Sequence, residues 1–258
     1  MRGAALFLVA WTLALPASTG AAEYARIAGG SFASVLPPDG KSAPAQVAPF
    51  RLRTLPVTNG EFLAFARTHP QWRRDGIASI FADGQYLAHW TGALQLGDGQ
   101  RQQPATHVSW FAAAAFCESE QARLPSWYEF EFAAAADATR ADARGDPAWR
   151  ERILDWYARP STAALPDVGN GTANVYGIRD MHGLVWEWVS DYASLMVSGD
   201  NRDQGDPDLL KFCGAGALST QDRENYAVLM RIALLSSLKA ADTTANLGFR
   251  CAKDDIQD

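Results

Sequence analysis

What this chain has little of narrows the field first. After residue 22 it has no apolar run long enough to cross a membrane, and it has no internal repeat or low-complexity linker. Basic clusters are missing too: lysine and arginine are scattered and the net charge is -6, so no phosphate-binding face for nucleic acid forms. Cysteine is limited to Cys117, Cys213 and Cys251, an odd count that leaves one thiol over if a single bridge forms. Histidine is scarce as well. His69 and His89 stand apart from other ligand-type residues, and lone histidines of this kind are usually solvated or satisfied in the core.

The first 22 residues read as an export leader. Arg2 gives a short basic start, residues 4–15 an apolar stretch, and Gly20-Ala21-Ala22 a small-residue cleavage site. No lipobox cysteine and no doubled arginine accompany it, which predicts a soluble exported chain starting at Glu23, delivered before folding to the periplasm or outside the cell. Residues 23–258 are then read as a single domain.

Local signals place several elements. RIAGGSFAS (26–34) predicts a strand broken by a Gly-Gly turn, and residues 50–56 a second strand. Thr58 with Glu61 and Ser126 with Glu129 are capping-box pairs opening helices, and Ser109 caps another after a short strand. Glu129 and Glu131, two apart on a helix, do not share a face, so they are read as structural acids rather than an acid/base pair. Residues 71–104 lack periodicity and predict a surface excursion; residues 137–160 predict a charged surface helix with Trp149, Ile153 and Trp156 on its apolar stripe.

The densest stretch is Asn174–Asp191, NVYGIRDMHGLVWEWVSD. In a strand, alternation puts Trp186 and Trp188 on one face and Glu187 on the other, where the acid needs a partner. Asp180 and Glu187 are hard oxygen donors around a turn at Gly183, a pattern open to calcium, although on spacing alone a glycine turn with two solvated acids is the preferred reading.

Taken in order, PVTNGEFLAF (56–65), PATHVSWFAAAAFCESEQARLPSWYEFEFAA (104–134), NVYGIRDMHGLVWEWVSD and NLGFRCA (246–252) resemble the formylglycine-generating enzyme family, the sulfatase-modifying factor domain. The resemblance covers most of the mature chain. It implies an α+β, C-type-lectin-like fold with little regular secondary structure, a structural calcium, and, in the enzymes, oxidation of a substrate cysteine by copper held between two cysteines. Carried over by position, the calcium ligands are Asp180, Gly183, Val185 and Glu187, with Gly183 and Val185 acting through their carbonyls, and the family disulfide joins Cys117 to Cys251. A second family bridge would need cysteines near Ala134 and Ile232, where both ends are apolar.

The copper-binding cysteines are where the chain departs from the family. Counting back from Asn246 puts Asp222 and Ala227 at their positions, and neither can supply a thiolate to Cu(I). Nor is there a His-x3-His-x-Glu set like that of the iron-dependent ergothioneine-synthesis relatives. The resemblance therefore implies a periplasmic accessory or maturation factor acting on a protein, peptide or small-molecule client, without the copper-cysteine chemistry. The alternative is an oxidoreductase with a non-standard copper site around Cys213, helped by His182, Met196 or Met230.

Overall fold

In the computed structural model the described residues are 22–39, 42–158, 164–195 and 226–255. Residues 1–21 of the expected leader, Cys213, Asp222 and Met196 lie outside them. Strands β1 (Tyr24–Ile27), β2 (Gly30–Phe32), β3 (Ala45–Val47) and β4 (Phe50–Arg53) come first. The break between β1 and β2 is the expected glycine turn. Gly29 has φ +69°, and a Cβ there would sit 2.2 Å from the Val47 carbonyl, so the position requires glycine.

Helix α1 (Asn59–Thr68) opens with the full capping box of Thr58 and Glu61; α2 (Trp110–Ser119) is capped by Ser109, and α3 (Trp127–Ala134) by the Ser126–Glu129 box. Then follow α4 (Pro147–Tyr157), β5 (Trp186–Glu187), α5 (Tyr226–Ser236), β6 (Leu247–Gly248) and β7 (Ala252–Asp254). The sheets are small: an antiparallel β1–β4–β7 sheet, a β2–β3 ribbon and a parallel β5–β6 pair. This is the expected α+β architecture with little regular structure.

One expectation is refined and one corrected. Residues 71–104 run largely over the surface, as expected, but are anchored in the main core, where Tyr86, Leu87 and Trp90 are buried with Phe62 and Phe116. Their backbone needs are met individually, for instance by Leu87 N–H donating to the His107 carbonyl and Asp83 N–H to the Ala241 carbonyl, so the segment packs without a period. The charged stretch at 137–160 is helical only from Pro147. Its first half is a loop tied by ion pairs of Arg140 with Asp137 and Asp146 and of Arg144 with Asp142.

One apolar core spans the fold, with Trp127, Trp188, Phe50, Phe62, Phe130 and Phe249 among its largest fully buried side chains. The disulfide Cys117–Cys251 ties α2 to the last strands inside this core. Ala134 and Ile232, where the second family bridge would lie, are buried in the same core as apolar residues. Among the described residues no helix is long and apolar enough to cross a membrane.

Candidate functional site

The stretch from Asn174 to Asp191 is built as a self-bonded turn feeding a strand. The Asn174 side-chain oxygen accepts the N–H groups of Tyr176 (3.0 Å) and Ile178 (3.1 Å), and its amide donates to the Ala133 carbonyl. Asp180 follows with a left-handed backbone, φ +59°, and its carboxylate accepts the backbone N–H groups of Gly169 and Gly171. A Cβ on Gly171 would come within 2.6 Å of that carboxylate, so the loop at 169–171 closes over Asp180 because it is glycine.

The chain then straightens into β5, and alternation does what the sequence leads one to expect. Trp188 is fully buried, packs against Tyr192 at 5.0 Å and donates its indole N–H to the Val108 carbonyl at 2.9 Å. Trp186 meets Trp156 of α4 at 5.6 Å. Glu187 turns to the other side and is fully buried, as is its partner Arg250. The two form a fork-to-fork pair, Nε to Oε2 at 2.7 Å and Nη2 to Oε1 at 2.8 Å, while the guanidinium also donates to the carbonyls of Arg53 (3.2 Å) and Arg179 (3.0 Å).

That pairing bears on the calcium ligands Asp180, Gly183, Val185 and Glu187. Both oxygens of Glu187 face a guanidinium in a space with no solvent access, and both oxygens of Asp180 face backbone N–H donors. In this arrangement the four residues do not fit a calcium ion, because a cation reaching Glu187 would have to displace Arg250. Among the described residues no three His, Cys, Asp or Glu side chains gather as a metal site. The partner that Glu187 needs is an arginine 63 residues away.

Beside β5 lies a cavity of about 580 Å³ walled by Trp149, Ile153 and Trp156 of α4 and by Asp180, Met181 and His182 of the turn. His182 donates Nε2–H to the Ala134 carbonyl at 2.8 Å and meets Trp149 edge-on at 5.4 Å. Burial, then the nearby Arg231 charge, lowers its pKa to about 3, so it is neutral near pH 7. Arg231 of α5 lies 4.3 Å from the Phe130 ring and 5.7 Å from the Trp186 ring and donates to the Met181 carbonyl. The corner where α4, α5 and β5 meet thus packs aromatic rings around a buried guanidinium.

Of the residues the sequence singles out for catalysis, Ala227 falls in the first turn of α5, while Asp222 and Cys213 lie outside the described residues. Met230 is on α5, 38% exposed. Glu129 and Glu131 are structural, as expected: Glu129 serves its cap and Arg123, and Glu131 accepts from Ser34 and the Val35 N–H. With Cys117 and Cys251 bonded to each other, Cys213 is the one cysteine of the three left free.

The profile of the sulfatase-modifying factor enzyme 1-like domain matches residues 13–255. The chain belongs to this family. It is 30% identical to the formylglycine-generating enzyme of Streptomyces coelicolor over 88% of its length and 85% of that protein's. It is 28% identical to a protein of Bos taurus named inactive C-alpha-formylglycine-generating enzyme 2, over 83% of its own length and 82% of the relative's. In fold it is similar to the crystal structure of CarF, with a TM-score of 0.50, 14% identity, and 91% of this chain and 99% of that one covered. As a member of the formylglycine-generating enzyme family the chain is similar over most of its length both to a relative named as that enzyme and to one named as inactive.

Proposed function

We propose that this family member is an exported, periplasmic accessory or maturation factor that binds a protein, peptide or small-molecule client and lacks the copper-cysteine oxidation of the family's enzymes. The observation that carries this reading is the state of the cysteines. One disulfide uses two of the three, so a centre needing two thiolates has one at most, and the family's copper positions hold Asp222 and Ala227. A relative named as inactive, matched over most of both chains, is in keeping with a family fold that outlives its chemistry. The cavity beside Trp149 and Trp156 gives such a factor a recess in which a client group could be held between aromatic walls.

The test is metal content and oxygen uptake of the purified mature protein, with a thiol peptide as substrate, for the parent and Cys213→Ser. The expected result is no oxygen uptake by either protein. Copper present at one equivalent in the parent and lost in Cys213→Ser, together with oxygen uptake on the thiol, would overturn the accessory reading in favour of an oxidase centred on Cys213.

A further inference from the structure

The outer face of the β1–β4–β7 sheet carries a row of positive charge drawn from distant parts of the chain. In the antiparallel registers Arg26 of β1 stands directly opposite Arg51 of β4, and Arg51 directly opposite Lys253 of β7, so three cations lie side by side across three strands. The other face of the same strands is apolar, with Ile27, Phe50, Leu52 and Ala252 buried in the core. Like charges set directly opposite one another weaken a sheet. A cation on an edge strand guards against unwanted strand pairing, but β4 is the central strand of the three, and Arg51 stands on it. The row therefore needs another reason.

One carboxylate serves two of these cations. Asp255 accepts from Arg26 Nε through Oδ2 and from Arg51 Nε through Oδ1 at 3.0 Å, and its own side chain is 3% exposed. The side chains of Arg26 and Arg51 are 54% and 51% exposed, and neither has another hydrogen-bond or ion-pair partner among the described residues. Both guanidiniums are thus pinned through Nε, while their Nη donors are left to water. A third arginine on the same face shows the contrast: Arg53, two residues along β4, pairs with both Glu61 and Glu120, and its side chain is 4% exposed. Lys253 holds its Nζ 4.6 Å from the Tyr24 ring and has no carboxylate in ion-pair range among the described residues.

We propose that this face docks an acidic segment of a partner protein, whose carboxylates are taken by the Nη groups of Arg26 and Arg51 and by the Lys253 ammonium. A guanidinium held through Nε presents its Nη groups as a planar fork matched to a carboxylate. Three neighbouring strands span about 10 Å, and acids at alternate positions of an extended chain are about 7 Å apart, so a short acidic run reaches the row with two carboxylates at once. Charge complementarity favours a protein segment over a larger polyanion. The chain as a whole has a net charge of -6, which repels an anionic membrane or a nucleic acid, and three cations are fewer than such surfaces recruit. The row is built from different elements than the cavity beside Trp149 and Trp156, and it serves a chain with or without copper chemistry equally well.

The experiment is fluorescence anisotropy of a labelled peptide of alternating glutamate and threonine, titrated with the full chain. Three proteins are compared: the parent, Arg26→Gln/Arg51→Gln, and Arg67→Gln/Arg101→Gln, which removes the same charge from exposed arginines elsewhere. The parent and the Arg67/Arg101 variant are expected to bind alike, the Arg26/Arg51 variant at least tenfold more weakly, and a peptide with glutamine in place of glutamate not at all. In the unaltered protein, where no variant has to fold, the nitrogen-15 Nε–H signals of Arg26 and Arg51 should shift on adding peptide while that of Arg53 stays. The proposal is overturned by no binding to the parent, by equal loss in the two variants, by unchanged binding in a folded Arg26/Arg51 variant, or by capture on phosphatidylglycerol–phosphatidylcholine vesicles without binding of the peptide. Copper content and oxygen uptake, which decide the accessory reading, do not enter this titration, so either proposal can fail alone.

Discussion

At the scale of single residues, the Glu187–Arg250 pair governs the centre of the molecule. Both side chains are fully buried, and the guanidinium reaches β4 through the Arg53 carbonyl and the turn through the Arg179 carbonyl. Removing one partner leaves the other as an unpaired buried charge, at a cost of about 3–5 kcal/mol. Glu187→Ala is therefore expected to lower the unfolding free energy measured by urea denaturation by that amount equally in calcium and in EDTA; a loss seen only with calcium present would restore the cation site. The need for a partner was legible in the alternation of WEW. Its identity was not, because nothing local links position 187 to position 250 and an acid accepts a metal or an arginine on equal terms.

Among the elements, what could be read was what closes within a few residues. The boxes at Thr58 and Ser126 and the cap at Ser109 each join positions three apart, so composition alone places those helix starts. Thr58→Ala is expected to cost about 1 kcal/mol in chemical denaturation and to leave the slope of the transition unchanged, since it frays the start of α1 without altering the surface exposed on unfolding. Elements held by distant contacts were misread. The first half of 137–160 has the charge pattern of a helix, yet Asp137 accepts from Thr139 N–H, Arg140 N–H and the Arg140 side chain, and this local clasp competes successfully with helical bonding. Residues 71–104 show no period because only scattered side chains, Tyr86, Leu87 and Trp90 among them, reach the core while the rest of the segment runs over the surface.

For the molecule as a whole, small sheets and short helices place much of the burden on long-range ties. The disulfide joins residues 134 apart, and in the chain-entropy account closing such a loop contributes about 4–5 kcal/mol. The double variant Cys117→Ala/Cys251→Ala is expected to lose stability of that order, and the parent treated with reductant to match it; a parent insensitive to reduction and a variant of full stability would show that packing alone suffices. The overall architecture was legible through the family motifs spread along the chain, whereas the proposed absence of the copper chemistry rests on counting cysteines.

The position of Arg250 has a consequence for where the fold is vulnerable. The charge that neutralises Glu187, the thiol that meets Cys117, and the strand that borders Phe50 and Leu52 all come from residues 247–254. Without this short segment a buried carboxylate has no counter-charge, β4 has an open edge and Cys117 has no bridge. A single cut just before Leu247 would therefore undo charge, sheet and crosslink together.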